Sequence, residues 1–423
     1  MSNDFSLRRQ TWTPAPRPEW VRRINEEGAG MDIESMVPLD ERSLLETAQA
    51  NTGLSNFGDD DWREPFQILV DSIARESELN LMGRILSRSD LLLTLQARLQ
   101  IEDTLKKHPE ILEQEIRKPL FVIGQGRSGT SMLQDILSKD PDNGVLTNWE
   151  VYFPCPPPET ASYHTDPRIQ KAHHLATQVY RVTPEFEAMH AFGGDVPTEN
   201  IELHCVSFKS PSFNVYGGQV PTYMAYLQQQ DMVPVYEYEK RVLKLLQWKN
   251  PRKHWVFKSP YSLAHLSEIL SVYPDVGFIW NHRDPVKALS SMVDLIGTLF
   301  WGRSDHPFRG NTLDMLTNAD INAMLMSEPI ELLESGRLPR EQLCNIQFHE
   351  FISDPMAAIR TIYDYFSIEL TKSAGEAIQS YIAQSPRASR PVHQYTTGAE
   401  GLVDDERKAY ARYQQYFNVP NEL

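Results

Sequence analysis

The sequence predicts an α/β fold: a mostly parallel central sheet flanked by helices, with an all-helical segment ahead of it. Three observations carry that expectation. Short apolar runs that fit buried strands recur along the chain, and stretches with helical spacing follow them, which is the alternation that builds βαβ units. One of these units, Leu120 to Leu137, runs from four apolar residues through a glycine-bracketed turn into an amphipathic helix. Before it, Phe66, Leu69, Val70 and Ile73, then Leu81, Ile85, Leu91, Leu95 and Leu99, recur at helical intervals.

Taken in order, residues up to about Asn56 are rich in Pro, Arg, Glu and Gly with weak periodicity, and read as an arm lying on the body or on a partner subunit. Within it, Glu41 to Ala50 can form a short helix. The stretch Asp59 to His108 reads as a helical subdomain, with Pro65 suited to a first turn and Pro109 ending the run. The expected division is residues 1–117 for arm and helical subdomain, and 118–423 for the α/β domain. After the helix that ends at Leu137, Asp140 and Pro141 stop the chain, and GVLTNWE reads as a second short strand ending at Glu150. Pro154 and Pro156 to Pro158 then break regular structure and suit a loop over a site. Ile169 to Arg181 and Tyr236 to Trp248 read as helices, with an aromatic-rich mixed region, Phe186 to Tyr226, between them.

His254 to Pro260 is the next buried strand, followed by a helix with Leu263, Leu266, Ile269 and Leu270 on one face. Val276 to Pro285 is another. Asp284 is a good N-cap and Pro285 a good first helical residue, so Arg283 falls at the strand's C-terminal end and Ser291 about two turns into the next helix. CNIQFHEF followed by Pro355 to Phe366 repeats strand then helix. Ligands of such sheets bind at the carboxyl ends of the strands.

Composition narrows the function. The chain has 423 residues, 41% hydrophobic and 23% charged, which is ordinary for a globular protein. A formal charge of −16 argues against nucleic acid or an anionic membrane surface as partner, so any anion site must be locally focused. Cys155, Cys205 and Cys344 are far apart and lack metal-like spacing. With no secretory h-region and no apolar window of about 18 residues, neither a signal peptide nor a membrane span is expected, and a cytoplasmic setting fits.

The loop GQGRSGTS carries the chemistry. It nearly matches the phosphate-loop pattern G-x-x-x-x-G-K-[ST], with Gly124, Gly129 and Ser131 in place but Thr130 where the lysine belongs. This makes the fold P-loop-type. Backbone N–H groups of Gly126 to Ser131 would converge at a helix N-terminus, a cradle for a phosphate or sulfate oxyanion. The missing lysine argues against an ordinary Mg·ATP enzyme, while Arg127 supplies a cation from another position. Lys258 and Arg283, each at a strand end, join this loop if the sheet forms; each alone is more often a solvated or paired surface charge.

Together, GQGRSGTSML, W-x-F-K-S-P and HRDPVKALSS resemble the sulfotransferase family, in particular a bacterial branch with arginine in the loop. The resemblance covers about Pro119 to Val419, and includes Trp149 to Pro158, Ile346 to Phe366 and His393 to Leu402. It implies a donor cosubstrate, 3′-phosphoadenosine 5′-phosphosulfate (PAPS), with Gln125, Gly126, Arg127, Ser128, Gly129, Thr130 and Ser131 around the 5′-phosphosulfate. Arg283 and Ser291 match the family's 3′-phosphate ligands, and a guanidinium suits a terminal phosphate. No metal is implied.

Arg127 and Lys258 are the expected stabilisers of transferring charge, by analogy with phosphoryl transfer. Glu150 is the expected general base, with His190, His204 and His265 as rivals. Met132 departs from the aromatic many relatives carry, and Arg387, Arg390 and His393 are candidates for a basic loop on the 3′-phosphate. The acceptor is expected to be a small-molecule hydroxyl compound, and a hydrophobic one if the aromatic and apolar residues of Phe186 to Tyr226 or Met292 to Trp301 line its pocket rather than the core. The arm and helical leader suit a homodimer. Competing readings are a small-molecule kinase with an aberrant loop, and a non-catalytic nucleotide-binding or scaffold protein.

Overall fold

A computed structural model describes residues 13–308, 318–384 and 400–422. Arg387, Arg390, His393 and the rest of 385–399 lie outside the described residues, as does the side chain of Ser291. Five parallel strands form one sheet: β1 (Leu120–Ile123), β2 (Asn143–Gly144), β3 (His254–Lys258), β4 (Gly277–His282) and β5 (Leu343–Gln347), in the spatial order β2-β3-β1-β4-β5. The central β1 pairs with β3 on one side and β4 on the other, Phe121 lying opposite Phe257 and Phe278. The C-terminal ends of these three strands therefore come together at the switch point of the sheet, where α/β proteins bind ligands.

The two-residue period of the strands sorts their side chains onto two faces. Leu120 and Val122 of β1 pack with Val256, Ile279 and Cys344 against the helices Thr130–Leu137 and Pro355–Tyr365. Phe121 and Ile123 join Trp255, Phe257, Phe278 and Trp280 in the larger core on the opposite face. That core also contains Trp62, Phe66, Leu95 and Leu99 of the helical leader, so apolar packing runs across the expected boundary at 117/118 without a break. Polar ties reinforce it: the buried Arg98 donates to the carbonyl of Val206 at 2.9 Å and Tyr238 to Glu102 at 2.7 Å.

The leader forms helices Arg63–Glu76 and Leu81–Lys107, as its spacing predicts. The arm is more helical than expected, with Glu19–Gly28 as well as Glu41–Thr52. It lies on the chain's own body, where Arg17 stacks 3.5 Å from the ring of Trp301 and donates to the carbonyls of Trp301 and Ser304. Among the described residues, no helix is long and apolar enough to cross a membrane.

One expected strand is wrong. Of the stretch before Glu150 only Asn143–Gly144 joins the sheet, and Glu150 sits inside a short helix, Asn148–Tyr152. Thr147 and Glu150 form a reciprocal capping box, so the local hydrogen bonds of T-x-x-E overrode the apolar pattern of Val145 and Leu146.

Candidate active site

The loop between β1 and its helix is held in shape from β4. Ser128 N–H closes a turn on the carbonyl of Gln125 at 3.1 Å. The fully buried Asn281 donates to the carbonyl of Ser128 at 2.7 Å, and Arg283 Nη1 donates to the carbonyl of Arg127, also at 2.7 Å. With the carbonyls of Arg127 and Ser128 bound by Arg283 and Asn281, loop N–H groups other than that of Ser128 are left for the concavity at the start of the helix Thr130–Leu137. Glycine is needed at Gly129, whose φ of 86° is left-handed and where a Cβ would lie 2.8 Å from the Phe348 ring. Arg127 itself adopts φ 71°, and its Nη1 donates to the carbonyl of Met189 at 3.0 Å.

The loop fits a phosphosulfate. Both amide atoms of Gln125 and the hydroxyl of Ser128 are buried and have no hydrogen-bond partner among the described residues, a costly state unless a ligand satisfies them. Lys258, at the end of β3 and 3% exposed, pairs with Glu199 at 2.5 Å. Arg283 lies just past β4, 4.1 Å from the Phe348 ring, and its Nε and Nη2 both bond the carboxylate of Glu422 at 2.9 Å. Asp284 caps the helix Pro285–Trp301 through Val286 N–H at 3.1 Å and also binds the backbone N–H of Glu422 at 2.7 Å. Ser291 belongs to that helix.

The rivals for the base separate clearly. Glu150 is fully buried; Thr147 donates to it from Oγ1 at 2.9 Å and N–H at 3.2 Å, and Arg252 from 3.3 Å. Burial raises its pKa, and Arg252 opposes that shift. His190 stands beside the loop and Lys258: burial lowers its pKa to about 3, and the charges of Lys258 and Arg127 push in the same direction. Both effects disfavour its protonated form. His204 is buried against Glu239 at 2.8 Å, and His265 pairs with Glu268 at 3.2 Å, so neither is directed at the loop. Sequence reasoning missed Glu199. Its only signal was a place in the aromatic-rich mixed region, and only the fold brings it to Lys258.

Much of the expected aromatic lining is core, since Phe186, Phe208, Phe213 and Tyr223 have no exposed area. Part of it does line a crevice, where Val206, Cys205 and Tyr216 meet Leu93, Ala97 and Tyr152.

The model of the Sulfotransferase family matches residues 119–372, more than half of the chain and all five strands. The chain belongs to the sulfotransferase family. Sulfotransferase STF1 from Mycobacterium tuberculosis H37Rv is 26% identical in sequence, with a TM-score of 0.75 over 88% of this chain and 98% of that one. Sulfotransferase STF9 from Mycobacterium avium is similar at 26% identity and a TM-score of 0.74, covering 91% and 98%. Both matches cover more of the chain than the 119–372 region. A curated relative, omega-hydroxy-beta-dihydromenaquinone-9 sulfotransferase Stf3 of Mycobacterium tuberculosis, is 22% identical over 302 residues, 68% of this chain and 72% of that protein. As a sulfotransferase, the protein is an enzyme that moves a sulfuryl group from PAPS to a hydroxyl of a small-molecule acceptor.

Proposed function

We propose that the loop Gln125 to Ser131 holds the 5′-phosphosulfate of the donor, that Arg283 with Ser291 holds its 3′-phosphate, and that Arg127 and Lys258 stabilise the transferring charge. The observation that carries this reading is convergence: loop, lysine and arginine sit at the C-terminal ends of β1, β3 and β4, three adjacent parallel strands. When bound, the donor supplies a sulfuryl group on a good leaving group. The chain's part is to orient it with loop N–H groups and to meet developing charge with Arg127 and Lys258. Glu422 now occupies the two outward N–H groups of Arg283 as a carboxylate, so a 3′-phosphate would take its place.

The acceptor is proposed to be a hydroxyl compound with a substantial apolar body. The hydroxylated menaquinone in the name of a relative supports this. The kinase reading finds no support in the loop, which has Thr130 in place of lysine.

The donor assignment is tested by thermal shift. Adenosine 3′,5′-bisphosphate should stabilise the protein well above ADP or Mg·ATP. In Arg283→Ala the bisphosphate affinity should fall at least about tenfold, roughly 1.4 kcal/mol, while ADP is affected far less; equal losses for both nucleotides would remove Arg283 from the 3′-phosphate.

A further inference from the structure

We propose that Glu199 takes the proton of the acceptor hydroxyl, and that the buried carboxylate of Glu239 positions it; both rest on the donor arrangement proposed above. Glu199 Oε1 lies 2.5 Å from Lys258 Nζ, yet the two differ in access: the lysine side chain is 3% exposed and the glutamate 23%. One side of the pair is sealed and the other is partly exposed. An acceptor oxygen can reach a partly exposed carboxylate beside the cation, whereas the Glu150 carboxylate has no exposed area and three donors already on it. His190, within the field of both Lys258 and Arg127, marks the same spot as the place where the cations gather.

The backbone just before Glu199 is fixed. Thr198 N–H donates to the carbonyl of Leu146 at 2.8 Å, and Gln134, on the phosphate-loop helix, donates to the carbonyl of Thr198 at 3.3 Å. Glu199 is then the N-cap residue of the short helix Asn200–His204. Asn200 and His204, four positions apart and so on one face, both bond Glu239 Oε2, at 3.0 and 2.8 Å. Tyr273 donates to the other oxygen of Glu239 at 2.9 Å. Glu239 therefore anchors the far face of the helix whose N-cap residue meets Lys258. It touches no part of the donor site, and acts only through Glu199.

The step balances within the established reaction. The acceptor oxygen forms a bond to sulfur, its proton passes to Glu199, and the bond from sulfur to the bridging oxygen of the 5′-phosphate breaks, its electron pair leaving on that oxygen. Protonation removes the charge that holds Lys258, so the ammonium turns to the leaving oxygen as negative charge appears there.

The test compares Glu199→Gln, Glu150→Gln and Glu239→Gln, following bisphosphate release with an aliphatic primary alcohol and with 4-nitrophenol as acceptors. A phenol that ionises readily needs little help from a base. Glu199→Gln should lower kcat for the alcohol about 10²-fold or more and for the phenol at least tenfold less, with bisphosphate affinity within about twofold. Glu239→Gln should lower kcat for the alcohol in the same acceptor-dependent manner but by a smaller factor, leaving its KM and the bisphosphate affinity in place. Equal losses with both acceptors in Glu199→Gln, full alcohol turnover in that variant, or an acceptor-dependent loss in Glu150→Gln instead would overturn the assignment of Glu199. Effects of Glu239→Gln on KM alone would remove its positioning role. Failure of the wild-type protein to bind the bisphosphate would overturn the donor arrangement, and the proposal with it.

Discussion

Phe348 shows how closely single residues are coupled at this site. Its ring lies 4.1 Å from the Arg283 guanidinium and would meet a Cβ on Gly129 at 2.8 Å, so loop conformation and the proposed 3′-phosphate ligand share one neighbour. Gly129→Ala adds left-handed strain, of order 1–3 kcal/mol, and pushes that ring toward Arg283. Bisphosphate affinity measured by calorimetry should drop at least about fivefold, and an unchanged value would show that the ring moves without disturbing Arg283. Glu202 makes a second prediction. Burial raises its pKa from 4.5 to about 7, with Glu199 and Asp90 adding to the rise and hydrogen bonds from Tyr216 and Ser212 opposing it. The native state thus keeps a proton that the unfolded chain gives up, and stability is full below about pH 4.5 and declines as pH rises toward 7. Glu202→Gln should flatten that decline, raising Tm more at pH 8 than at pH 5; equal shifts at both pH values would contradict it.

At the level of elements, helices are placed by buried polar anchors as much as by apolar faces. The helix Asn200–His204 has only five residues, too few to be stable alone, and its position depends on Glu239. Glu239 is 1% exposed and satisfies three donors. Replacing it with alanine leaves those donors buried without an acceptor, and should destabilise the protein by about 3 kcal/mol or more in denaturant titration. A loss under about 1 kcal/mol would mean that water or a shifted neighbour replaces the carboxylate. The helix Asn148–Tyr152 is the converse case, fixed by its own capping box. Its T-x-x-E signature was present in the sequence, and competed there with a strand-like apolar run.

For the whole molecule, the helical leader and the sheet share one apolar core. The ties that cross between them include Arg98 to Val206, Tyr238 to Glu102 and Arg303 to Asp90, the last at 2.7 Å. A fragment of residues 118–423 would expose the leader-facing aromatic surface around Phe208 and leave Arg303 without its carboxylate. It should lack a cooperative thermal transition and near-ultraviolet circular dichroism, whereas an independent domain would keep both.

By itself the sequence determined the parallel α/β alternation, the phosphate loop, the cap at Asp284 and the strand-end positions of Lys258 and Arg283. These are local properties: strand period, turn chemistry and capping need only neighbours within a few residues. It also carried enough family resemblance for sulfuryl transfer. What only the tertiary structure decided is which charges meet. Lys258 finds Glu199 across 59 positions, Arg283 finds Glu422 across 139, and Glu150 is sealed against Arg252 across 102. Charges attract without regard to sequence separation, and burial sets their strength. No periodicity records such pairs, so the partners of these charges become legible only when the strands are side by side.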